Sequence, residues 1–178
     1  MILSKNRILE EIEKKSILIE PFDKKCLGPN SYDIHLGRYL AVYNSHTLDS
    51  KEENVIEEIT IPTDGYTLYP GKIYLGVTEE YTETLQHLPF LEGISSVARL
   101  GINVNPSSGK GNIGHCNTWT LDINVVQPVT VYPGMPIAQL FFFKTEGKTE
   151  EGYNKMKNAK YSSRSLKPVA SKMWKNDW

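Results

Sequence analysis

The fold is decided by the stretch Trp119-Thr-Leu-Asp-Ile-Asn-Val-Val-Gln-Pro-Val-Thr-Val-Tyr-Pro-Gly-Met-Pro-Ile-Ala-Gln-Leu-Phe-Phe-Phe143. It holds three runs of β-branched, aromatic and aliphatic residues, and the dipeptides Gln-Pro and Pro-Gly separate them. Such runs between turn residues are typical of short β-strands. Similar runs occur earlier, at 39–43, 66–69 and 73–77. Because the runs recur at turn-bounded intervals of roughly ten residues, the sequence predicts a mainly β sandwich, jelly roll or barrel.

One helix is predicted, near the N-terminus. Ser4 is a favourable N-cap residue, and Leu3 and Ile8 stand at the N′ and N4 positions of a hydrophobic staple. Ile8 and Ile12 then follow each other at helical spacing. We therefore expect a short helix over about residues 5–15, and no long segment with this period follows it.

Length and composition predict a small single-domain protein. The chain has 178 residues, of which 39% are hydrophobic and 23% charged, and its formal net charge is -1. A chain of this size builds one core, so we expect a single domain over residues 1–178. The near-neutral charge argues against a general nucleic-acid binder, because such domains carry a basic excess.

The cysteines and the apolar runs indicate the cellular compartment in which the protein is expected. Cys26 and Cys116 are far apart and each lacks a neighbouring cysteine, which predicts free thiols in a reducing compartment. The longest apolar stretch, 137–143, is far shorter than the ~20 residues of a membrane span. We therefore expect a cytoplasmic protein with no membrane partner.

The charge is unevenly distributed. Residues 144–178 hold nine basic and four acidic residues, whereas residues 1–143 hold eleven basic and seventeen acidic ones. The acidic stretch 49–58 is expected to be a solvated loop or an edge hairpin. After residue 144 the periodicity fades, so a basic C-terminal tail is expected to be mobile unless something orders it. Some of its side chains could close over a charged ligand, the alternative being a solvated tail: Tyr153, Lys160, Tyr161 and Arg164.

Several common catalytic motifs are absent. Zinc-dependent nucleobase deaminases need H-x-E together with P-C-x-x-C, and no histidine or cysteine here stands in either pattern. A Walker A loop is also missing. Residues 109–114 spell G-x-G-x-x-G, but a β-type run follows them. They therefore lack the helix N-terminus on which a dinucleotide site depends.

Two other features carry polar chemistry. Ser95, Ser96 and Arg99 could form a phosphate-binding turn of hydroxyls and a guanidinium, or the serines could cap a short helix while Arg99 makes a surface ion pair. Asp122 lies in an apolar run, on the opposite face from Leu121 by the period-2 rule. Such a carboxylate is either buried with a partner or directed into a site.

Seven short blocks spread over nearly the whole chain form a recognisable pattern. They are Met1-Ile-Leu-Ser4, Ile19-Glu-Pro-Phe22, Leu27-Gly-Pro-Asn-Ser-Tyr-Asp-Ile-His-Leu-Gly37, Leu91-Glu-Gly-Ile-Ser-Ser-Val-Ala-Arg-Leu-Gly101, Trp119-Thr-Leu-Asp-Ile123, Tyr132-Pro-Gly-Met-Pro-Ile-Ala-Gln-Leu140 and Ala159-Lys-Tyr161. In this order and spacing they resemble the dCTP deaminase branch of the dCTP deaminase/dUTPase superfamily.

The resemblance implies an architecture and its ligands. The fold would be a distorted, dUTPase-like β-barrel or jelly roll with a short N-terminal helix, assembled as a homotrimer with nucleotide sites between subunits. The tail of residues 144–178 would close over the bound triphosphate. Mg²⁺ would accompany dCTP or dUTP without a dedicated protein cage, as is usual for this cation, and zinc would not take part.

The resemblance also implies roles for individual residues. Asp122 matches the general base that activates water for attack on C4 of cytosine, and Ser95 and Arg99 match residues that orient the water and the cytosine amino group. Ser95 and Arg99 would also contact the nucleotide, and the remaining positions implied to bind it, mostly through its triphosphate, are Ser96, Asn112, Gln139, Tyr153, Lys160 and Arg164.

Several residues depart from the family pattern. Asp122 replaces a glutamate and is one methylene shorter, and a ~1 Å displacement of a catalytic group can lower a rate ~100-fold. Asn112 replaces the aspartate of dUTP-hydrolysing members, and an amide cannot accept a proton from water. Ile94 replaces an arginine whose charge-assisted hydrogen bonds would be worth about 1.5–3 kcal/mol. The remaining departures are His115 for an aromatic residue, Asn117 for glycine and Arg164 for glutamine.

Three hypotheses follow. The first is a zinc-independent dCTP deaminase that produces dUTP and ammonia. The second is a dUTPase or a bifunctional enzyme that releases pyrophosphate and produces dUMP, and Asn112 argues against it. The third is a non-enzymatic nucleotide-binding or regulatory trimer, because the departures cluster at the site rather than in the scaffold.

Overall fold

The computed structural model describes residues 1–147 and 149–177 and contains twelve strands and two α-helices. The helices are α1 (Lys5–Glu13) and α2 (Ser95–Ala98). The strands are β1 (Ile17–Glu20), β2 (Tyr32–Tyr43), β3 (Ile56–Thr60), β4 (Tyr66–Leu68), β5 (Tyr74–Thr78), β6 (Tyr81–Thr84), β7 (His87–Gly93), β8 (Ile102–Val104), β9 (His115–Asn117), β10 (Thr120–Val125), β11 (Val129–Val131) and β12 (Pro136–Lys144). The protein is therefore mainly β, as predicted.

The main sheet curls into a nearly closed barrel. Its strand order is β7-β12-β2-β5-β10-β8, and β3 also pairs with β2. Register shifts interrupt the pairing of β2 with β5 between Leu36 and Leu40, and bulges of this kind bend a strand. The loop after β8 bridges the two ends of the sheet, because the Leu91 N–H of β7 donates to the Gly109 carbonyl at 2.7 Å.

The predicted N-terminal helix is present but ends earlier than expected. Ser4 is the N-cap residue, although its side chain makes no capping hydrogen bond. The staple residues Leu3 and Ile8 are both buried. The helix ends at Glu13 rather than near residue 15 because Lys15 adopts a positive φ of 57°.

Strand β2 is longer than its predicted run at 39–43. It begins at Tyr32 and passes through Gly37, where a Cβ atom would lie 2.9 Å from the Val77 carbonyl oxygen of β5. Glycine allows the two backbones to approach at this point. The acidic stretch 49–58 is expected to be a solvated loop or an edge hairpin. It leads into β3, which pairs with β2 as an edge strand, so the hairpin is found.

Strand β7 was missed by the sequence pattern. Its sequence, His-Leu-Pro-Phe-Leu-Glu-Gly, contains Pro89, and proline is disfavoured inside a sheet because it lacks an N–H. β7 stands at the end of the strand order, where an edge strand tolerates proline. The Pro89 carbonyl accepts a hydrogen bond from the Gly111 N–H at 2.9 Å.

The core alternates along the strands as the period-2 rule requires. In β10, Leu121 and Ile123 are fully buried, whereas Thr120, Asp122 and Asn124 lie on the opposite, partly exposed face. No helix in the described part of the chain is long and apolar enough to cross a membrane. Both cysteines are free thiols.

Candidate active site

Asp122 lies on the partly exposed face of β10 and is held at three points. Its backbone N–H donates to the Asn105 side-chain oxygen at 2.9 Å, and its carbonyl accepts from the Asn105 N–H at 2.8 Å. The Ser108 hydroxyl donates to Oδ2 of the carboxylate at 3.1 Å. The loop after β8 therefore fixes both the backbone and the side chain of Asp122.

The carboxyl group of Asp122 sits in an environment that makes it a stronger base. Burial raises its pKa, and the Ser108 hydrogen bond offsets part of that rise. Within the described residues, no cation pairs with Asp122, and its side-chain partner is a neutral hydroxyl. The carboxylate is therefore partly buried with a hydroxyl partner, and no ion pair among the described residues neutralises it.

Sequence reasoning missed the two residues that hold Asp122. Asn105 has a positive φ of 46°, a conformation that asparagine adopts more easily than most residues, and it precedes Pro106. Ser108 follows in the same small-residue loop. An Asn-Pro pair signals a turn, but no local pattern indicates that this loop folds back onto a strand more than ten residues later.

The short helix α2 presents Ser95, Ser96 and Arg99 to solvent. Its N-cap is Ile94, whose carbonyl accepts from the Val97 and Ala98 N–H groups, so neither serine caps the helix. Arg99, at the C-cap, makes no ion pair with any described residue. The two structural alternatives considered for these side chains are therefore not found.

Gln139 lies on β12, opposite Glu92 of β7 and Asp33 of β2. Its side chain is partly exposed and forms no hydrogen bond with the described residues. The next pair in this register joins Ala138 to Gly93, the last residue of β7 before α2. Gln139 and α2 therefore stand at the same end of β7.

Tyr153 is held close to Asn112. The Ile113 carbonyl accepts the Tyr153 N–H at 2.8 Å, and the Gly114 carbonyl accepts the Asn154 N–H at 3.2 Å. Gly114 has a φ of 84°, and a Cβ atom there would lie 2.6 Å from the Tyr153 nitrogen. Asn112 itself is exposed, and among the described residues its one hydrogen bond is accepted by its backbone carbonyl from the His115 N–H at 3.0 Å.

Lys160 and Arg164, the two candidate site residues of the tail that carry a positive charge, make contacts within the chain. The Arg164 guanidinium lies over the Tyr81 ring, 4.5 Å from its centroid. The Lys160 ammonium donates to the Asn176 side-chain oxygen. The Tyr153 hydroxyl accepts a hydrogen bond from the Tyr161 N–H at 3.0 Å. This bond joins the two ends of residues 153–161. The predicted tail also includes Lys148 and Trp178, which lie outside the described residues.

His115, one of the departures from the family pattern, is the first residue of β9 and packs against Trp119. Its ring stacks on Trp119 with centroids 4.2 Å apart. Burial lowers the pKa of His115 to about 4, so the ring is neutral near pH 7. It contributes an aromatic face rather than a charge.

The candidate residues therefore fall into two groups on one chain. Group one, at the α2 end of β7, comprises Ser95, Ser96, Arg99 and Gln139. Group two comprises Asp122 on β10, Asn112 in the loop before β9, and Tyr153, Lys160 and Arg164 in the tail. Among the described residues, no hydrogen bond or ion pair joins the two groups. The described residues hold no cluster of three or more His, Cys, Asp or Glu side chains that could bind a metal ion.

Comparison with known proteins shows the family to which the sequence is similar. The chain matches a dCTP deaminase-like family over residues 2–145. It is 44% identical over 161 residues to a protein of Cytophaga hutchinsonii named "dCTP deaminase, dUMP-forming", covering 90% of each chain. It is also 44% identical over 163 residues to a protein of Hathewaya histolytica with the same name, covering 92% of each chain.

A solved structure shares the fold. The 2'-deoxycytidine 5'-triphosphate deaminase of Agrobacterium tumefaciens superposes with a TM-score of 0.64 over 81% of this chain, at 19% identity. The match covers 48% of that longer chain, so this chain spans about half of it. At this identity the likeness concerns the fold alone, whereas the family match and the closer relatives concern the sequence as well. The chain belongs to the dCTP deaminase-like family.

Proposed function

We propose that this chain deaminates dCTP and then hydrolyses the resulting dUTP to dUMP. In the first step water replaces the amino group at C4 of cytosine and ammonia leaves. In the second step another water releases pyrophosphate. The names of the relatives at 44% identity support dUMP as the product. The observation that carries the deamination is the Asp122 carboxylate, partly buried with a neutral partner and a raised pKa.

Asp122 is the general base of the proposed first step. Its carboxylate takes a proton from the attacking water, and the same proton can then pass to the leaving amino group. A raised pKa suits the first transfer, because it makes the carboxylate a stronger base toward the attacking water. Ser95 and Arg99 orient the water and the amino group in this proposal.

The triphosphate would be held by hydroxyl, amide and cationic side chains, namely Ser96, Asn112, Gln139, Tyr153, Lys160 and Arg164. Mg²⁺ would be bound through the triphosphate oxygens, because the described residues offer no carboxylate cage, and it would neutralise part of their charge. Catalysis by zinc is not part of the proposal, which relies on Asp122 to activate water.

A homotrimer would complete the site. Groups one and two are both needed by the proposed reaction, yet no described contact joins them within one chain. A second copy could bring its Ser95, Ser96 and Arg99 to the Asp122 of the first. In a closed ring of three copies this contact would be repeated three times, giving equivalent sites.

One observation favours a second candidate, in which the reaction stops at dUTP. Asn112 stands where dUTP-hydrolysing members carry an aspartate, and its amide cannot take a proton from water. In that case ammonia would form and pyrophosphate would not.

A product assay tests both candidates. Pure protein is incubated with dCTP and Mg²⁺, with and without a zinc-selective chelator, while ammonia, dUTP, dUMP and pyrophosphate are measured. Equal amounts of ammonia and pyrophosphate, unaffected by the chelator, are expected. Ammonia with dUTP alone supports the second candidate. No product at high enzyme concentration rejects both, and tight binding of unchanged nucleotide would then support the regulatory trimer.

A further inference from the structure

Asn117, the last residue of β9, makes more hydrogen bonds than any pattern in the sequence suggests. The residue is 7% exposed. The amide nitrogen donates to the Tyr161 carbonyl at 3.2 Å and to the Ser163 carbonyl at 2.7 Å. The amide oxygen accepts the Thr118 N–H at 2.9 Å and the Ser165 N–H at 3.0 Å. All four positions of the amide are thus used, three of them by the tail.

The neighbours of Asn117 extend the same attachment. The Thr118 hydroxyl donates to the Ser165 carbonyl at 2.5 Å. Two residues further, the Thr120 hydroxyl accepts the Val169 N–H at 3.1 Å. Tail residues 161–169 therefore run beside residues 117–120, which lead directly to Asp122.

The hydrogen bonds between Asn117 and the tail fix the backbone next to Lys160 and Arg164. Lys160 immediately precedes Tyr161, whose carbonyl binds Asn117. Arg164 lies between Ser163 and Ser165, both of which also bind Asn117. Because the backbone is fixed on either side of Arg164, its side chain is confined to the region beside Tyr81.

We propose that Asn117 is a positioning residue that holds the basic tail on the barrel before a nucleotide arrives. The role rests on the proposed function, because it assigns Lys160 and Arg164 to the triphosphate. A residue at this position whose side chain cannot form hydrogen bonds would supply none of the three bonds to the tail. Pre-positioning reduces the ordering entropy that binding would otherwise have to overcome.

Hydrogen exchange of the protein without nucleotide tests the attachment. In Asn117→Ala, the amides of 161–169 should exchange at least about tenfold faster than in the wild type, because three hydrogen bonds are lost. In Asn117→Asp the same release is expected, since a carboxylate oxygen would face the two tail carbonyls. Asn158→Ala, an exposed tail residue without a described side-chain bond, is the control. Unchanged protection of β10 shows that the barrel is folded in each variant.

Nucleotide binding tests the positioning. In both Asn117 variants KM for dCTP, and the Kd measured by calorimetry, should rise about tenfold while kcat changes less than about threefold. Unchanged exchange at Ser165 in Asn117→Ala overturns the attachment. Faster exchange with unchanged KM and Kd overturns the positioning role. A wild type that binds no dCTP overturns the proposed function and the positioning role together, while the exchange experiment still decides the attachment.

Discussion

The chemistry proposed at Asp122 depends on two opposing effects on one carboxyl group. Burial raises its pKa, and the hydrogen bond from Ser108 lowers it. Asn105 fixes the backbone on which the carboxyl group is carried. A side chain one methylene shorter than glutamate has less reach, so the precision of this support matters more than it would for the longer residue.

Replacing Asp122 by Asn should lower the deamination kcat by about 10²–10⁴-fold, because the amide cannot take a proton from water. The nucleotide should still bind, which calorimetry with dCTP measures. Asp64→Asn, an exposed carboxylate elsewhere, is the control and should keep wild-type activity. Full activity of Asp122→Asn would reject Asp122 as the base.

The same substitution has an expected effect on stability. The pKa of Asp122 in the folded state is raised above its ordinary value of 3.8, so the folded state binds a proton more tightly than the unfolded state does. The free energy of unfolding therefore increases as the pH falls from above the raised pKa to 3.8. Above the raised pKa this gain is absent. Asp122→Asn should therefore unfold at the same temperature as the wild type or higher at neutral pH, as measured by calorimetry. A clear loss of stability would assign the carboxylate a structural role.

The pH dependence of activity should respond to Ser108. Since the base must be ionised, kcat should fall as the pH falls through the pKa of Asp122. Ser108→Ala removes the hydrogen bond that lowers this pKa, so the acid limb of the pH profile should move to higher pH. Ser107→Ala, in the same loop and without a described bond to Asp122, is the control. An acid limb that does not move would separate Ser108 from the titrating group.

Among the elements, the C-terminal tail differs most from what its composition indicates. A segment rich in Lys, Gly, Asn and Ser is typical of a mobile chain, yet Asn117, Thr118 and Thr120 bind its backbone at several points. Lys167 adds an exposed ion pair to Glu58 at 2.5 Å, of the kind that contributes little stability in water. The tail is thus attached mainly by hydrogen bonds to its backbone, which its own side-chain pattern does not reveal.

Lys160→Ala should weaken dCTP binding about tenfold in low salt and by a smaller factor at high salt, because screening reduces the attraction between an ammonium and a triphosphate. Titration calorimetry at two salt concentrations measures the difference. Lys157→Ala, an exposed tail lysine with no described partner, is the control and should change binding little. Equal losses at both salt concentrations would contradict a charge-based role for Lys160.

At the scale of the whole molecule, we predict that each active site combines Asp122 of group two from one copy with Arg99 of group one from another. A 1:1 mixture of Asp122→Asn and Arg99→Ala subunits, unfolded and refolded together, should recover about one quarter of wild-type activity if each site takes Asp122 from one copy and Arg99 from another. Each variant refolded alone is the control and should be inactive. A mixture as inactive as its parents would place both residues of a site in one chain.

The sequence by itself determined the features that repeat locally. The alternation in β10 predicted which face carries Asp122, the apolar stripe predicted α1, and seven blocks indicated the family that the comparisons show. Only the tertiary structure decided that Ser108 reaches Asp122, that Pro89 lies in an edge strand and that Asn117 holds the tail. The physical reason is range: periodicity and propensity act between residues a few positions apart. These three features depend on chain segments that meet only when the barrel closes.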